Sequence, residues 1–129
     1  MIALRNHLHQ GILFCSIFFL LFFSFSIKIF AEEIEWLQVS KTNNELLSIN
    51  PNSIKYNNKG FLSVMAKHSE IDPVDQTIIN EDPFLMAIDC ENRLFNKFPA
   101  NADLKKVKNW KNPIDNKLIK KTIIKSCSY

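Results

Sequence analysis

Short runs of alternating apolar and polar residues fill the chain from residue 34 to residue 68. Such alternation places one side of a β-strand in a core and the other side in water. Clusters rich in Asn, Pro and Gly interrupt the runs, because these residues favour turns. The pattern therefore predicts strands over residues 34–39, 46–49, 54–56 and 61–68.

The segment that follows is less regular. Residues 69–82 are acidic and lack a clear period, which predicts a long surface loop that is either functional or loosely ordered. A strand is expected over residues 84–90, and Glu91-Asn92 is expected to be a two-residue hairpin connection into residues 93–98. After a polar break, the pattern predicts a last strand over residues 105–110.

The spacing of apolar residues becomes helical after Asp115, which is expected to cap the helix. Lysines occupy the opposite side, several of them near the helix C-terminus, where the helix dipole is negative. The apolar stripe consists of Leu118, Ile119, Thr122, Ile123 and Cys127. Strands followed by one helix predict an α+β domain: an antiparallel sheet of five to six strands with one C-terminal helix packed on a face.

Two cysteines lie on apolar faces of these predicted elements. Cys90 shares one strand face with Met86 and Ile88, and Cys127 follows Ile123 at a step of four on the helix. The simplest arrangement presses these faces together through a structural disulfide, which closes a loop of 36 intervening residues. A free catalytic thiol or a metal-binding pair is the alternative, but neither has an adjacent His or a Cys-x-x-Cys spacing.

Residues 1–31 are organised like a secretory signal peptide, with a basic start, an uncharged run over residues 11–27 and the small residue Ala31. Cleavage after Ala31 leaves one domain over residues 32–129. The alternative is an uncleaved membrane anchor in a structural envelope protein, because residues 11–27 are just long enough to span a bilayer. Cys15 lacks the small residues that precede a lipidated cysteine. We therefore expect an exported protein, periplasmic or at the cell surface, where cysteines form disulfides.

The net charge of +3 conceals two oppositely charged parts. Residues 32–103 hold 6 basic and 12 acidic side chains, whereas residues 104–129 hold 8 lysines and one acid, Asp115. A basic end of this kind can contact phosphate-rich or carboxylate-rich surfaces. The alternative is that lysine is simply the common solvent-facing residue of this chain. The candidate anion-contacting face is on the predicted helix and consists of Lys117, Lys120, Lys121 and Lys125.

Few residues of the domain support catalysis or cofactor binding. His68, Glu70 and Asp72 alternate, so an extended segment could present all three to one cation. Metal binding, or a metal-dependent enzyme activity, is therefore the most specific chemical alternative to a non-catalytic binding protein. Ser69 lies in no nucleophile elbow, and the single domain glycine, Gly60, excludes a phosphate-cradling loop. We predict no enzyme activity and no cofactor.

Lysines interleave with one aromatic residue over residues 105–111, as they do in proteins that bind single-stranded nucleic acid. An exported protein rarely meets nucleic acid, and Trp110 is expected to be a core residue at a strand end. We predict no nucleic-acid partner. The expected partner is an unidentified ligand in the envelope or outside the cell, and an anionic ligand is one candidate. Membrane contact is expected only through residues 11–27, if they are retained.

The order of several short motifs resembles the surface-adhesin protein E-like family of small exported bacterial proteins. The resemblance covers about residues 34–129. Its landmarks are Trp36-Leu37-Gln38-Val39, Asn50-Pro51-Asn52-Ser53-Ile54, Ile88-Asp89-Cys90 leading into Arg93, Trp110 ahead of a proline, and Cys127 near the end.

This resemblance implies an antiparallel sheet with a C-terminal helix fastened to it by a Cys90–Cys127 disulfide. It also implies an exported, non-enzymatic protein, since the best-known member is an adhesin that binds host matrix components. The chain departs from the family in lacking a lipidation cysteine and in carrying Asn50 where an acidic residue often precedes the proline. Host-binding segments cannot be matched residue by residue, so the ligand is not transferred.

Overall fold

The structure is a computed structural model that describes residues 2–23 and 33–129. The chain divides into two units, Met1–Glu33 and Ile34–Tyr129. The first unit contains helix α1 (Ile2–Phe23), whose second half is apolar and exposed. In the part of the chain just defined, no helix meets the length and hydropathy that a membrane span requires. The predicted cleavage after Ala31 and the end of the 11–27 run lie outside the described residues.

The second unit is a five-stranded antiparallel sheet followed by one helix, which confirms the predicted α+β class. Its strands lie side by side in chain order. They are β1 (Leu37–Lys41), β2 (Glu45–Tyr56), β3 (Leu62–Ile71), β4 (Ile78–Asp89) and β5 (Leu94–Pro99). Helix α2 (Lys117–Cys127) packs on one face, mainly over β1 and β2.

Strand β2 is continuous, although the Pro51 cluster predicts two separate pieces. The pairing with β3 shifts register between Asn50 and Lys55, so Pro51 lies in a bulge where its missing N–H is tolerated. The side chain of Ser53 replaces some of the backbone hydrogen bonds between β2 and β3 that the bulge removes. Its hydroxyl donates to the carbonyl of Asn50 at 2.6 Å and accepts from the backbone N–H of Met65 at 2.8 Å. The side chain of Ser53 thus holds the two halves of β2 in one sheet.

The prediction of a long irregular loop over residues 69–82 is wrong. Strand β3 continues to Ile71 and β4 begins at Ile78, which leaves a turn of six residues. The two strands pair through His68↔Asp82 and Glu70↔Asn80. Strand β2 pairs with β3 as far as Glu70, whereas β5 pairs with β4 only from Phe84 onward. Residues 78–83 of β4 are exposed on both faces, and their sequence therefore lacks the alternation that marks a half-buried strand. We call this end of the β3–β4 hairpin, residues 69–82, the ribbon.

The prediction of a last strand over residues 105–110 is also wrong. This segment is irregular, with one isolated bridge pairing Phe95 with Lys111. Asn109 has a φ of 59°, in the left-handed region that interrupts an extended chain. The segment nevertheless follows the edge of β5, because the side-chain amide of Asn96 donates to the carbonyl of Lys108 at 2.9 Å.

The core lies between α2 and one face of the sheet. Its side chains alternate along β2, β3 and β4 and meet the apolar stripe of α2, as the strand and helix periods predict. The fully buried members include Leu47, Ile49, Leu62, Val64, Met86, Ile88 and Ile119. Burial of one such side chain contributes about 1.5–3 kcal/mol, so this interface is the main source of stability.

Helix α2 begins one residue later than expected. Its cap is Asn116, whose side chain accepts a hydrogen bond from the backbone N–H of Ile119 at 3.1 Å. Asp115 lies outside the helix and does not cap it, because the chain turns at Asn116 rather than at the acid. The later start places Lys117 in the first turn and leaves Lys125 as the basic residue of the last turn.

The predicted disulfide joins Cys90, one residue beyond the end of β4, to Cys127 at the end of α2. The Cα atoms are 5.9 Å apart, and the two cysteines are separated by 37 positions in the chain. Both half-buried side chains pack against the core. The bond therefore fastens the helix to the sheet at the point where the chain ends.

Removal of this bond should destabilise the domain. We expect Cys90→Ser and Cys127→Ser each to lower the free energy of unfolding by about 2–5 kcal/mol, because both release the same loop. Chemical denaturation of the two variants and of the double variant measures this. We expect all three variants to lose the same free energy of unfolding, and reductant should not change the stability of the double variant. Clearly unequal losses would contradict the pairing.

The helix cap can be tested separately. Asn116→Ala should lower the free energy of unfolding by about 1 kcal/mol, because the backbone N–H of Ile119 loses its acceptor. Asp115→Ala is the matched control and should change stability little. A larger loss from Asp115→Ala than from Asn116→Ala would show that the cap is misplaced.

Candidate functional site

The four candidate lysines of α2 form one exposed surface, which we call the lysine face: Lys117, Lys120, Lys121 and Lys125. Three of them recur at steps of four, so they form a row along the helix with a rise of about 6 Å per step. Lys120 lies beside this row. The buried side chains of α2 point the other way, toward the sheet. The helical period alone therefore separates the charges from the core.

The lysine face carries uncompensated charge. Within residues 33–129 the ion pairs are Lys67–Glu81, His68–Glu45 and Lys105–Asp103, and none includes a lysine of α2. The first turn of α2 contains no acid, so the positive end of the helix dipole adds to the charge of Lys117. Charges of one sign that face water without a partner create a positive potential that attracts anions.

A groove adjoins the lysine face where the β4–β5 turn approaches α2. Its volume is about 350 Å³, and we refer to it as the basic groove. Arg93 contributes a guanidinium from the turn and Lys120 an ammonium from the helix, while no acid lines it. The remaining lining residues are Asn92, Asn112, Pro113, Ile123 and Ile124. Two cations beside aliphatic side chains suit a ligand that is both anionic and apolar.

The β4–β5 turn that carries Arg93 is held by Asp89. The carboxylate of Asp89 accepts from the side-chain amide of Asn92 at 2.9 Å and from its backbone N–H at 3.1 Å. The first of these bonds is the main reason that the pKa of Asp89 lies below its usual value. Arg93 itself has a φ of 53°, in a region that favours Gly and Asn, so the turn holds it at a conformational cost.

At the other end of β4 lies a second exposed surface, the hairpin tip, which we define as residues 72–79. Val74 is 92% exposed, Ile78 53% and Ile79 60%. Asp75 accepts from the hydroxyl and the backbone N–H of Thr77, and the bond to the hydroxyl is the main reason that the pKa of Asp75 is lowered. The tip therefore combines apolar side chains with an ionised carboxylate.

The three residues of the metal hypothesis do not converge. The imidazole Nε2 of His68 lies 3.2 Å from a carboxylate oxygen of Glu45, whereas Asp72 accepts from the backbone N–H of Val74 at 2.8 Å. Glu70 is exposed to solvent. Among the side chains of residues 10–22 and 33–129, no group of three or more His, Cys, Asp and Glu is placed to hold a metal ion.

The interleaved lysine and aromatic segment has a structural explanation. Trp110 packs edge to face on Phe61, with ring centroids 5.9 Å apart, so its ring is engaged and not free to stack on a base. The ammonium of Lys59 donates to the carbonyl of Lys105 at 3.0 Å. These contacts fasten the irregular segment to the turn between β2 and β3.

Sequence patterns did not reveal that Arg93 lies near Lys120, or that Glu45 lies near His68. Arg93 and Lys120 are 27 positions apart, and no local pattern indicates that they line one groove. Ile78 and Ile79 were visible as apolar residues in an acidic segment, which was the available signal for an exposed contact surface. Glu45, the partner of His68, becomes its neighbour only through the pairing of β2 with β3.

Comparison with known proteins agrees with this architecture. The sequence model of the surface adhesin-E family matches residues 38–129, which include β2 to β5, α2 and both cysteines of the disulfide. The chain belongs to the surface adhesin-E family. No curated protein and no solved structure matches the chain. In this adhesin-E protein, the lysine face, the basic groove and the hairpin tip all lie inside the matched region.

The turn that carries Arg93 should respond to pH. Because hydrogen bonds lower the folded-state pKa of Asp89, its contribution to stability is present above the unfolded pKa and is lost as pH falls through the folded value. Asp89→Asn should therefore lower the melting temperature at pH 7, and the difference from wild type should shrink below about pH 4.

Thermal denaturation between pH 7 and about pH 2.5 measures this difference. Asp82→Asn, which removes an exposed carboxylate outside the turn, is the matched control and should follow wild type throughout. A difference between Asp89→Asn and wild type that does not change with pH would contradict a role for the ionised carboxylate.

Proposed function

We propose that this adhesin-E protein is an exported, non-catalytic binding protein of the cell envelope that contacts an anionic partner through the lysine face. The observation that carries the proposal is the position of the four lysines. They are exposed on one side of α2, and none of the ion pairs of residues 33–129 includes them, although the ammonium of Lys125 lies over the ring of Tyr129.

The support beneath the lysine face is rigid. Ile119 and Ile123 are 2% exposed in the core, and the disulfide fastens the end of α2. A contact surface on a fixed helix loses little conformational entropy when it binds, so more of the contact energy contributes to affinity. Core packing and the disulfide also explain why α2 remains folded although basic residues in its first turn lie at the positive end of the helix dipole.

The chemical class of the partner follows from the charge. Three lysines whose backbone positions rise by about 6 Å per step along the helix suit chains or surfaces that repeat carboxylates or phosphates. Lysine suits such partners because its flexible stem adapts to the exact position of each anion. Attraction of this kind weakens as salt is added, because solvent-exposed charges are screened.

Export is supported by three features. The N-terminal region has a basic start followed by an uncharged run, the family is named for surface adhesins, and the domain contains a disulfide of the kind that persists outside the cytoplasm. Both the periplasm and the cell surface are compatible with these features.

The absence of catalysis is part of the same proposal. The single histidine of the domain, His68, lies on the central strand and is engaged with Glu45 at 3.2 Å, and no serine or thiol bonds to it in the described contacts. Family membership adds support, because the name refers to adhesion rather than to a reaction.

The proposal predicts that binding to polyanions depends on the lysine face and not on total charge. We expect the combined variant Lys117→Gln/Lys120→Gln/Lys121→Gln/Lys125→Gln to bind immobilised poly-L-glutamate and polyphosphate at least about tenfold more weakly than wild type. Four exposed ion pairs at roughly 0.2–1 kcal/mol each account for a loss of that size.

The matched control is Lys105→Gln/Lys106→Gln/Lys108→Gln/Lys111→Gln, which removes the same number of charges from the irregular segment. The protein should be purified in the form that the cell leaves after export, and affinities compared over a series of salt concentrations. The control should bind nearly as well as wild type. Equal losses in both variants, or no binding by wild type, would overturn the proposal.

A further inference from the structure

The hairpin tip exposes more apolar surface than an isolated turn normally does. Val74, Ile78 and Ile79 are all more than half exposed and lie within six positions of one another. Exposed apolar groups that cluster on a folded surface often mark a contact with another molecule. The tip is exposed because it lies beyond Glu70, the last residue of β3 that pairs with β2, and because β5 pairs with β4 only from Phe84 onward.

The hairpin tip is also held in one conformation. The backbone N–H of Asp72 donates to the carbonyl of Thr77 at 2.9 Å, and the N–H of Gln76 donates to the carbonyl of Asp72 at 2.9 Å. The base of the ribbon is fastened to the β1–β2 turn, since the N–H of Ile71 donates to the carbonyl of Asn44 at 2.8 Å. A tip ordered in advance loses little entropy on docking.

The charge around the hairpin tip is negative. Between Lys67 and Arg93 the chain contains no lysine or arginine, and the ribbon carries five acids: Glu70, Asp72, Asp75, Glu81 and Asp82. Glu81 is paired with Lys67 at 3.1 Å. The carboxylate of Asp75, at the tip itself, is fully exposed and has a lowered pKa, so it is ionised at neutral pH.

The basic groove has the complementary composition. Arg93 and Lys120 supply positive charge from two different elements, and Ile123 and Ile124 supply an aliphatic wall. Within the described residues neither cation has an ion-pair partner. Arginine recognises a carboxylate through two parallel hydrogen bonds, which adds direction to the attraction. An apolar, acidic projection therefore matches this groove in both polarity and charge.

The tip cannot reach the groove of its own molecule. The tip adjoins the start of β4 at Ile78, whereas the groove adjoins the turn that follows Asp89. A strand of this length separates its ends by about 36 Å. We propose that the hairpin tip of one molecule docks into the basic groove of a second copy of this chain.

Contact between two different surfaces is heterologous, so each molecule keeps one free tip and one free groove. Association then continues from molecule to molecule and produces short chains or rings rather than a closed symmetric dimer. Such head-to-tail assembly would present many lysine faces side by side. The proposed self-association does not depend on the proposed function. Lys120 nevertheless belongs to both the lysine face and the basic groove, so an anion bound to Lys120 competes with the second copy.

Sedimentation velocity on the purified exported protein, over about 1 µM to 1 mM, tests the inference. We expect the average mass of wild type to rise with concentration beyond that of a dimer. Val74→Lys places a positive charge on the tip, and Lys120→Glu places a negative charge in the groove. Each should weaken association at least tenfold, because like charges then face one another.

A mixture of the two variants gives the sharpest result. Val74→Lys retains an intact groove and Lys120→Glu retains an intact tip, so an equimolar mixture should regain association, which begins with one-to-one dimers. Two matched controls should associate like wild type. Ile34→Lys charges another exposed apolar residue, and Lys121→Glu reverses a neighbouring lysine that does not line the groove.

The inference is overturned if wild type stays monomeric throughout, if association stops at a dimer, or if the controls lose association as the test variants do. Unchanged melting temperatures show that each variant is folded. Val74→Lys also separates this inference from the proposed function: it should abolish self-association while binding to poly-L-glutamate persists. If wild type self-associates but does not bind poly-L-glutamate, that result counts against the proposed function alone.

Discussion

The bond between Cys90 and Cys127 is the constraint on which the rest of the domain depends. Within residues 33–129, helix α2 is the element that covers the inner face of the sheet, and a domain of this size has little apolar surface to spare. By fixing the last turn of α2 beside the end of β4, the bond keeps the core closed. Because Cys90 adjoins the turn that carries Arg93, the bond also helps to set the position of α2, and so of Lys120, relative to Arg93.

A second organising feature is the separation of charge along the strands. The acidic ribbon of β3 and β4 extends from one end of the sheet, and the basic groove lies by the β4–β5 turn at the other. Strand β4, with 12 residues in extended conformation, holds these ends apart. Opposite charges that cannot neutralise one another within a molecule remain available to other molecules, which is the physical basis of both proposals.

Membership of the surface adhesin-E family rests on residues 38–129 and so on the whole sheet except its first residue. The match accounts for the fold and for the cysteine pair. The ligand is a separate question, because function depends on the side chains displayed on a fold rather than on the fold itself. In this chain those side chains are the lysines of α2, the Arg93 turn and the apolar tip.

The sequence by itself determined the elements whose side chains alternate between core and water. The strand that leads to Cys90, the apolar stripe of α2 and the disulfide were predictable, because the periods of strands and helices place these residues on one face. Tertiary structure decided the remainder. The hydroxyl of Ser53 joins β2 across the Pro51 bulge, and backbone pairing alone extends β3 and β4 into an exposed acidic ribbon. Arg93 meets Lys120 in one groove only after folding, since contacts between residues distant in sequence leave no periodic trace in either segment.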